Sequence, residues 1–177
     1  MKRVWLIVVI VVAVGIAGLF VVSTLMRPGL LRSRQAGNEV SAAMSLRTIG
    51  AAQMSFSMGC GDGFFSPDLP TLGVKAPGVS DPFLPPDLTS AVSITKAGYE
   101  ITIGSTTAAD ATAPASCNGL PPGRMVKGYW ATATPLAPDM GTRAFAINTD
   151  GTVWYAEQQT PIRVSNFGPP VGATEHK

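Results

Sequence analysis

Two cysteines, Cys60 and Cys117, are the residues of this chain whose chemistry constrains its structure most. A single cysteine pair in an exported domain is typical of one disulfide, and the alternative is two separate buried thiols. The bond would close the loop between residues 60 and 117, which contributes about 3–4 kcal/mol to stability in the chain-entropy model. We therefore expect a Cys60–Cys117 disulfide if the domain is exported.

Four aspartates lie in one segment that is rich in glycine and proline. They are Asp62, Asp68, Asp81 and Asp87. A flexible loop with several carboxylates can bind calcium, because hard cations prefer oxygen ligands. The alternative is that these residues form turns and cap helices, which is the common use of aspartate in such segments. We expect the second interpretation and no cofactor, with a calcium loop as the open alternative.

Catalytic side chains are sparse in this sequence. The single histidine, His176, stands next to the end of the chain, where we expect it to be solvated. No serine or cysteine can be paired with a base from sequence spacing, and there is no Cys-x-x-Cys or phosphate-binding loop. Four aromatic residues are expected to pack in a sheet rather than to form a ligand platform: Tyr129, Trp130, Trp154 and Tyr155. We predict no catalytic residues, no small-molecule substrate and no enzymatic activity.

The elements that position these residues begin with an uncharged apolar run. It starts at Val4 and ends at Met26. At about 1.5 Å per residue, such a helix spans the ~30 Å hydrocarbon core of a bilayer. We predict a transmembrane helix within residues 1–27, after a short N-terminal tail. Lys2 and Arg3 favour a cytoplasmic N-terminus, while three arginines after the span act in the opposite direction.

Residues 28–58 are predicted to continue the helix as an amphipathic half. Apolar residues recur there at helical spacing, at Ala42, Leu46, Ile49 and Phe56. This face is expected to pack on a sheet, whose apolar side would otherwise be exposed to water. Residues 1–58 carry a net charge of +5 and residues 59–177 a net charge of −3. Because the downstream part is mildly acidic, we predict no nucleic-acid binding.

A globular head is predicted from residue 59 to residue 160, followed by a flexible tail over residues 161–177. Four strand patterns occur in the head, over residues 99–103, 129–134, 143–148 and 152–156. Asp150-Gly151 between the last two is a strong hairpin signal. One long helix followed by an antiparallel sheet of four strands is an α+β architecture.

Several segments resemble type IV pilins and the pseudopilins of type II secretion. Residues 28–49 read PGLLRSRQAGNEVSAAMSLRTI, which is similar to the helix of that family just beyond its membrane span. Further similarity lies in FSPDLPTLG at 65–73, AGYEI at 97–101, GTRAF at 141–145 and DGTV at 150–153. The N-terminal residues Lys2, Arg3, Val4 and Trp5 differ from the family's leader and cleavage motif. Before Glu39 there is also no counterpart of the glutamate that pairs with a neighbouring subunit in the membrane.

The resemblance implies a structural subunit of a type IV pilus or of a type II secretion filament, minor or atypical because of its N-terminus. Its partners would be the membrane and other pilin-like subunits, contacted through the N-terminal helix. The protein would cross the bacterial inner membrane once, with a cytoplasmic N-terminus and a periplasmic or extracellular head. The alternative is a membrane-tethered extracytoplasmic binding module that does not polymerise.

Overall fold

One long helix, α1, extends over Lys2–Gly59. The computed structural model describes the backbone of residues 2–176 and the side chains of residues 5, 12, 13, 15 and 29–176. Within the described part of the chain, no helix is both long enough and apolar enough to cross a membrane. Most side chains of the segment for which the sequence predicts the span, residues 4–26, lie outside the described residues.

The head contains one antiparallel sheet, in which every strand pairs with the next one along the chain. A short helix, α2, at Leu69–Leu72 and a 3-10 turn at Pro86–Leu88 precede it. The strands are β1 Ser93–Lys96, β2 Tyr99–Gly104, β3 Trp130–Pro135, β4 Ala144–Asn148, β5 Val153–Ala156 and β6 Thr174–Glu175. The α+β class with one long N-terminal helix is therefore confirmed.

The prediction of four strands is wrong, because the sheet has six. The first additional strand, β1, reaches β2 through Ala97 and Gly98, both with positive φ. An alanine rarely adopts this left-handed conformation, so the pair lacks the sequence signal of a tight hairpin turn. The second, β6, has two residues, too few for an alternating pattern, and pairs with Trp154 and Tyr155.

The inner face of the sheet packs against α1. All four helix positions for which the sequence predicts packing are buried: Ala42, Leu46, Ile49 and Phe56. The sheet contributes Ile101 of β2 and Phe145 and Ile147 of β4, which belong to the same cluster of buried residues. Burial of each large side chain contributes about 1.5–3 kcal/mol, so this interface forms the core of the head.

The outer face of the sheet is partly covered by the segment after β5. Ile162 is buried against Ala144 and Ala146 of β4, where the small alanines leave room for it. Asn148 donates hydrogen bonds to the backbone carbonyls of Ser165 and Gly168. The sequence predicts a flexible tail over residues 161–177. In this structure Ile162 and Asn166 of that segment are buried, and Thr174–Glu175 form β6.

Candidate interaction surfaces

A buried carboxylate joins the long helix to the head. Glu39 is only 4% exposed. Its Oε1 accepts hydrogen bonds from the backbone N–H of Thr142 at 2.8 Å and from the Thr142 hydroxyl at 3.0 Å. Its Oε2 accepts from Nε and Nη2 of Arg143, which makes the ion pair bidentate. Four donors thus saturate one carboxylate, and such charge-assisted bonds are the strong ones in proteins.

These contacts determine the protonation state of Glu39. Burial by itself would raise the pKa of Glu39, but the hydrogen bonds from Thr142 and Arg143 and the positive charge of Arg143 outweigh it and lower the pKa. The same hydrogen bond with Glu39 raises the pKa of Arg143. The pair is therefore ionised at neutral pH. Nearby, burial raises the pKa of the Tyr99 hydroxyl, which donates a hydrogen bond to the carbonyl of Arg143.

The C-terminal end of α1 is joined to the head by a side-chain amide and by a disulfide. Gln53 is fully buried, and its amide donates to the carbonyl of Ser66 and accepts from the N–H of the same residue. Beyond the end of the helix, Cys60 and Cys117 form a disulfide with a Cα–Cα separation of 4.8 Å. Cys60 is buried and Cys117 is exposed. The loop after β2 is thereby linked to the end of the helix.

The four aspartates of the candidate calcium loop have separate surroundings. Asp68 caps α2 by accepting a hydrogen bond from the N–H of Thr71. Asp87 forms an ion pair with Lys96. Asp62 and Asp81 are exposed. Among the described residues, no group of three or more histidine, cysteine or acidic side chains is close enough together to hold a metal ion.

His176 lies against the sheet, although its position in the sequence predicts a solvated side chain. Its backbone N–H donates to the carbonyl of Val153. The ring packs edge-on against Phe145 and Tyr155, and Arg47 of α1 donates a hydrogen bond to the His176 carbonyl at 3.3 Å. The prediction is wrong because an isolated residue in a segment without periodicity gives no sequence signal of its partners in the fold.

The side of α1 that faces away from the sheet carries exposed apolar residues. At 100° per residue they fall within one narrow sector opposite Leu46 and Ile49. We call this sector the outer stripe, and it consists of Val40, Met44, Ala51, Met54 and Met58. Met58 is 78% exposed and Val40 is 61% exposed. Arg47 interrupts the stripe and lies within 3.9 Å of the Met44 sulfur.

A groove of about 710 Å³ lies on the outer face of the sheet, beside the segment that covers β4 and β5. Its floor includes the hydroxyls of Thr102 and Thr132, which are opposite each other on β2 and β3. Trp130 contributes to one side, while residues 161–165 and 169–171 form the other. This volume is in the range of small-molecule binding sites.

Sequence reasoning missed both the role of Glu39 and the groove. A signal for Glu39 existed, since it is the sole acid of residues 1–58 and lies three positions before Ala42 on the buried face. The groove had no such signal, because one of its sides belongs to a segment without periodicity. Trp130, which was expected to pack in the sheet, is half-buried and partly lines the groove.

Comparisons of the chain with protein-family models, with curated proteins and with solved structures found no match.

Proposed function

We propose that this protein is a membrane-anchored, pilin-like structural subunit that associates with other such subunits through its long helix. The observation that carries the proposal is the outer stripe of α1. The opposite side of the helix is buried by its own head, so the outer stripe is available for a contact with another helix. Its residues recur at spacings of four, seven, three and four, the periodicity of helix–helix packing.

A minor or atypical role fits the contacts of Glu39. In the family that the sequence resembles, a glutamate near the start of the membrane span assists assembly by pairing with the N-terminus of a neighbouring subunit, and this chain has no counterpart of it before Glu39. The sole acid of residues 1–58 is Glu39, and its carboxylate is saturated by Thr142 and Arg143 of its own head. It is therefore engaged within the subunit rather than between subunits.

The proposed location is the bacterial inner membrane, crossed once by residues 4–26 with the N-terminus in the cytoplasm. The apolar composition of that segment supports the span. The disulfide supports a periplasmic or extracellular head, because such bonds persist in oxidising compartments. A structural role also agrees with the two buried polar side chains of α1, Glu39 and Gln53, whose hydrogen bonds attach the helix to the head.

The test is site-specific photo-crosslinking of the full chain in its native membranes. A photoreactive amino acid replaces Met54 in the outer stripe, and in a separate variant it replaces Val79, an exposed apolar residue of the head. We expect crosslinked products with a second pilin-like helix from position 54 and not from position 79. Met44→Glu should then reduce the yield from position 54, because a charge in the contact would have to be desolvated.

The matched control is Val79→Glu, which introduces the same charge at an exposed apolar site away from the helix. It should leave the yield from position 54 unchanged. A chain that stays monomeric in the membrane and gives no crosslinks from any residue of the outer stripe would contradict the proposal. That result would favour the alternative of a tethered binding module that does not polymerise.

A further inference from the structure

Hydrogen bonds hold the segment on one side of the groove to the loop that follows β2. Asn166 is 2% exposed, and its side chain accepts from the N–H of Thr106 and donates to the hydroxyl of Ser105. These bonds fasten the segment over the sheet to the loop that follows β2. Because the two sides of the groove are held together before any ligand arrives, a ligand would bind without a large ordering cost.

Trp130 gives the groove an aromatic surface in a fixed position. It is paired with Gly104 of β2 across the sheet, and a Cβ at position 104 would lie 2.6 Å from Cζ2 of the indole. The ring therefore rests directly on the glycine backbone. One part of the indole is supported by the sheet while the rest lines the groove, which suits stacking against a flat apolar ligand surface.

The floor offers hydroxyl groups rather than backbone groups. Thr102 and Thr132 share one hydrogen bond of 2.9 Å between their Oγ1 atoms. Each hydroxyl has one proton and two lone pairs, so the pair retains one donor and three acceptor positions. Thr132 is only 3% exposed, so the half-buried Thr102 is the one that presents its hydroxyl to the groove. The backbone N–H and C=O groups of β2 and β3 are engaged in the strand ladder. A peptide backbone would thus find no ladder to extend here, whereas a ligand with hydroxyls of its own would find partners.

Arg163 supplies the charge of the site. It is the one charged side chain among the described residues that line the groove. Within the described part of the chain, Arg163 makes no ion pair and no side-chain hydrogen bond. A guanidinium matches a carboxylate with two parallel donors. The groove therefore combines an aromatic surface, a hydroxyl group and one cation with a largely apolar second side that contains Pro161, Val164 and Pro170.

We propose that this groove binds an acidic saccharide, with a sugar ring stacked on Trp130, a sugar hydroxyl bonded to the Thr102 hydroxyl, and a uronate carboxylate paired with Arg163. The site is independent of the outer stripe on α1 and faces away from it. The head would then recognise an acidic glycan whether or not the chain assembles.

The test uses the full chain in a detergent without a sugar headgroup. A trisaccharide of galacturonic acid is titrated in, and the galactose trisaccharide serves as the neutral counterpart. The readouts are the heat of binding and the indole N–H resonance of Trp130, assigned from a Trp130→Phe variant. We expect the uronate to bind more tightly than the neutral sugar and to shift the Trp130 resonance.

Two variants separate the contributions. Arg163→Gln should weaken uronate binding by about two- to fivefold, to the level of the neutral sugar, since the ion pair is solvent-exposed. Arg124→Gln removes an exposed arginine outside the groove and should change nothing. Trp130→Leu should abolish the binding of both sugars, and Arg163→Gln keeps the proposal testable if that variant fails to fold.

Three outcomes would overturn the proposal. The first is no binding of either trisaccharide at millimolar concentration. The second is equal affinity for the uronate and the neutral sugar, which would remove the role of Arg163. The third is a shift of the Trp130 resonance by a proline-rich peptide in place of both sugars, which would assign the groove to a protein ligand.

Discussion

Glu39 in the long helix and Arg143 just before β4 form a bidentate ion pair that fixes the head on the helix. The Glu39 side chain is 5% exposed and that of Arg143 is 32% exposed. The guanidinium also lies over the ring of Tyr155, at 5.2 Å from its centroid. The pair joins two segments about a hundred positions apart in the chain. It lies near the point where the helix leaves the head, so it sets the position of one relative to the other.

Removal of one partner of the Glu39–Arg143 ion pair should lower the free energy of unfolding. In Glu39→Ala, Arg143 and the N–H of Thr142 lose their acceptor, and we expect the free energy of unfolding to fall by about 3 kcal/mol. Denaturant unfolding of the full chain in detergent micelles measures it. Asp81→Ala, which removes an exposed acid, is the control and should change stability by less than about 0.5 kcal/mol. A Glu39→Ala variant as stable as the control would show that the ion pair contributes nothing.

The same pair should make the head sensitive to acid. The folded pKa of Glu39 is lowered from the ordinary value of 4.5, so below that value the unfolded state binds the proton more readily. Its contribution to stability is complete above the unfolded pKa and is lost as pH falls through the folded pKa. We expect the midpoint of thermal unfolding to fall from pH 5 downward, and to fall less steeply in Glu39→Gln. Parallel pH profiles for the two proteins would contradict this assignment.

The contact between helix and sheet should depend on the buried face of α1. Leu46 is fully buried, and Leu46→Asp places an unpaired carboxylate in the core. We expect loss of the folded head, because burial of an unpaired charge costs several kcal/mol. Thr48→Asp introduces the same charge at an exposed position of the same helix and should leave the head intact. Limited proteolysis of both variants gives the result, and equal resistance would contradict the packing of the helix on the sheet.

Much of this architecture follows from local patterns. The helical spacing of Leu46, Ile49 and Phe56 identifies the buried face without knowledge of the sheet, because a helix that covers an apolar layer must repeat about every 3.6 residues. The bounds of β2, β3, β4 and β5 lie within one residue of those that the sequence predicts, since alternation and Asp150-Gly151 are local signals. These features depend on neighbours in sequence, which is why sequence reasoning reached them.

The remaining features depend on contacts between distant segments. Glu39 can be buried because Arg143 and Thr142 donate hydrogen bonds to its carboxylate. No local pattern in the sequence links these positions. Similarly, Ile162 and Asn166 hold their segment on the sheet, although its glycines and prolines indicate a loop without structure. The groove exists only because of that segment. Sequence periodicity therefore locates the layers of the head, and specific polar contacts determine its surfaces.

The disulfide should be a principal source of stability for the head. Cys60 and Cys117 are separated by 57 positions, so their bond restricts a large loop of the unfolded chain. Removal of both cysteines, as Cys60→Ala with Cys117→Ser, should lower the free energy of unfolding by about 3–4 kcal/mol. Treatment of the wild-type chain with a reductant should give a similar loss, because Cys117 is exposed to solvent. The double variant is the control for the reductant and should not respond to it. Two free thiols in the denatured, unreduced protein, together with unchanged stability under reductant, would show that the bond does not form.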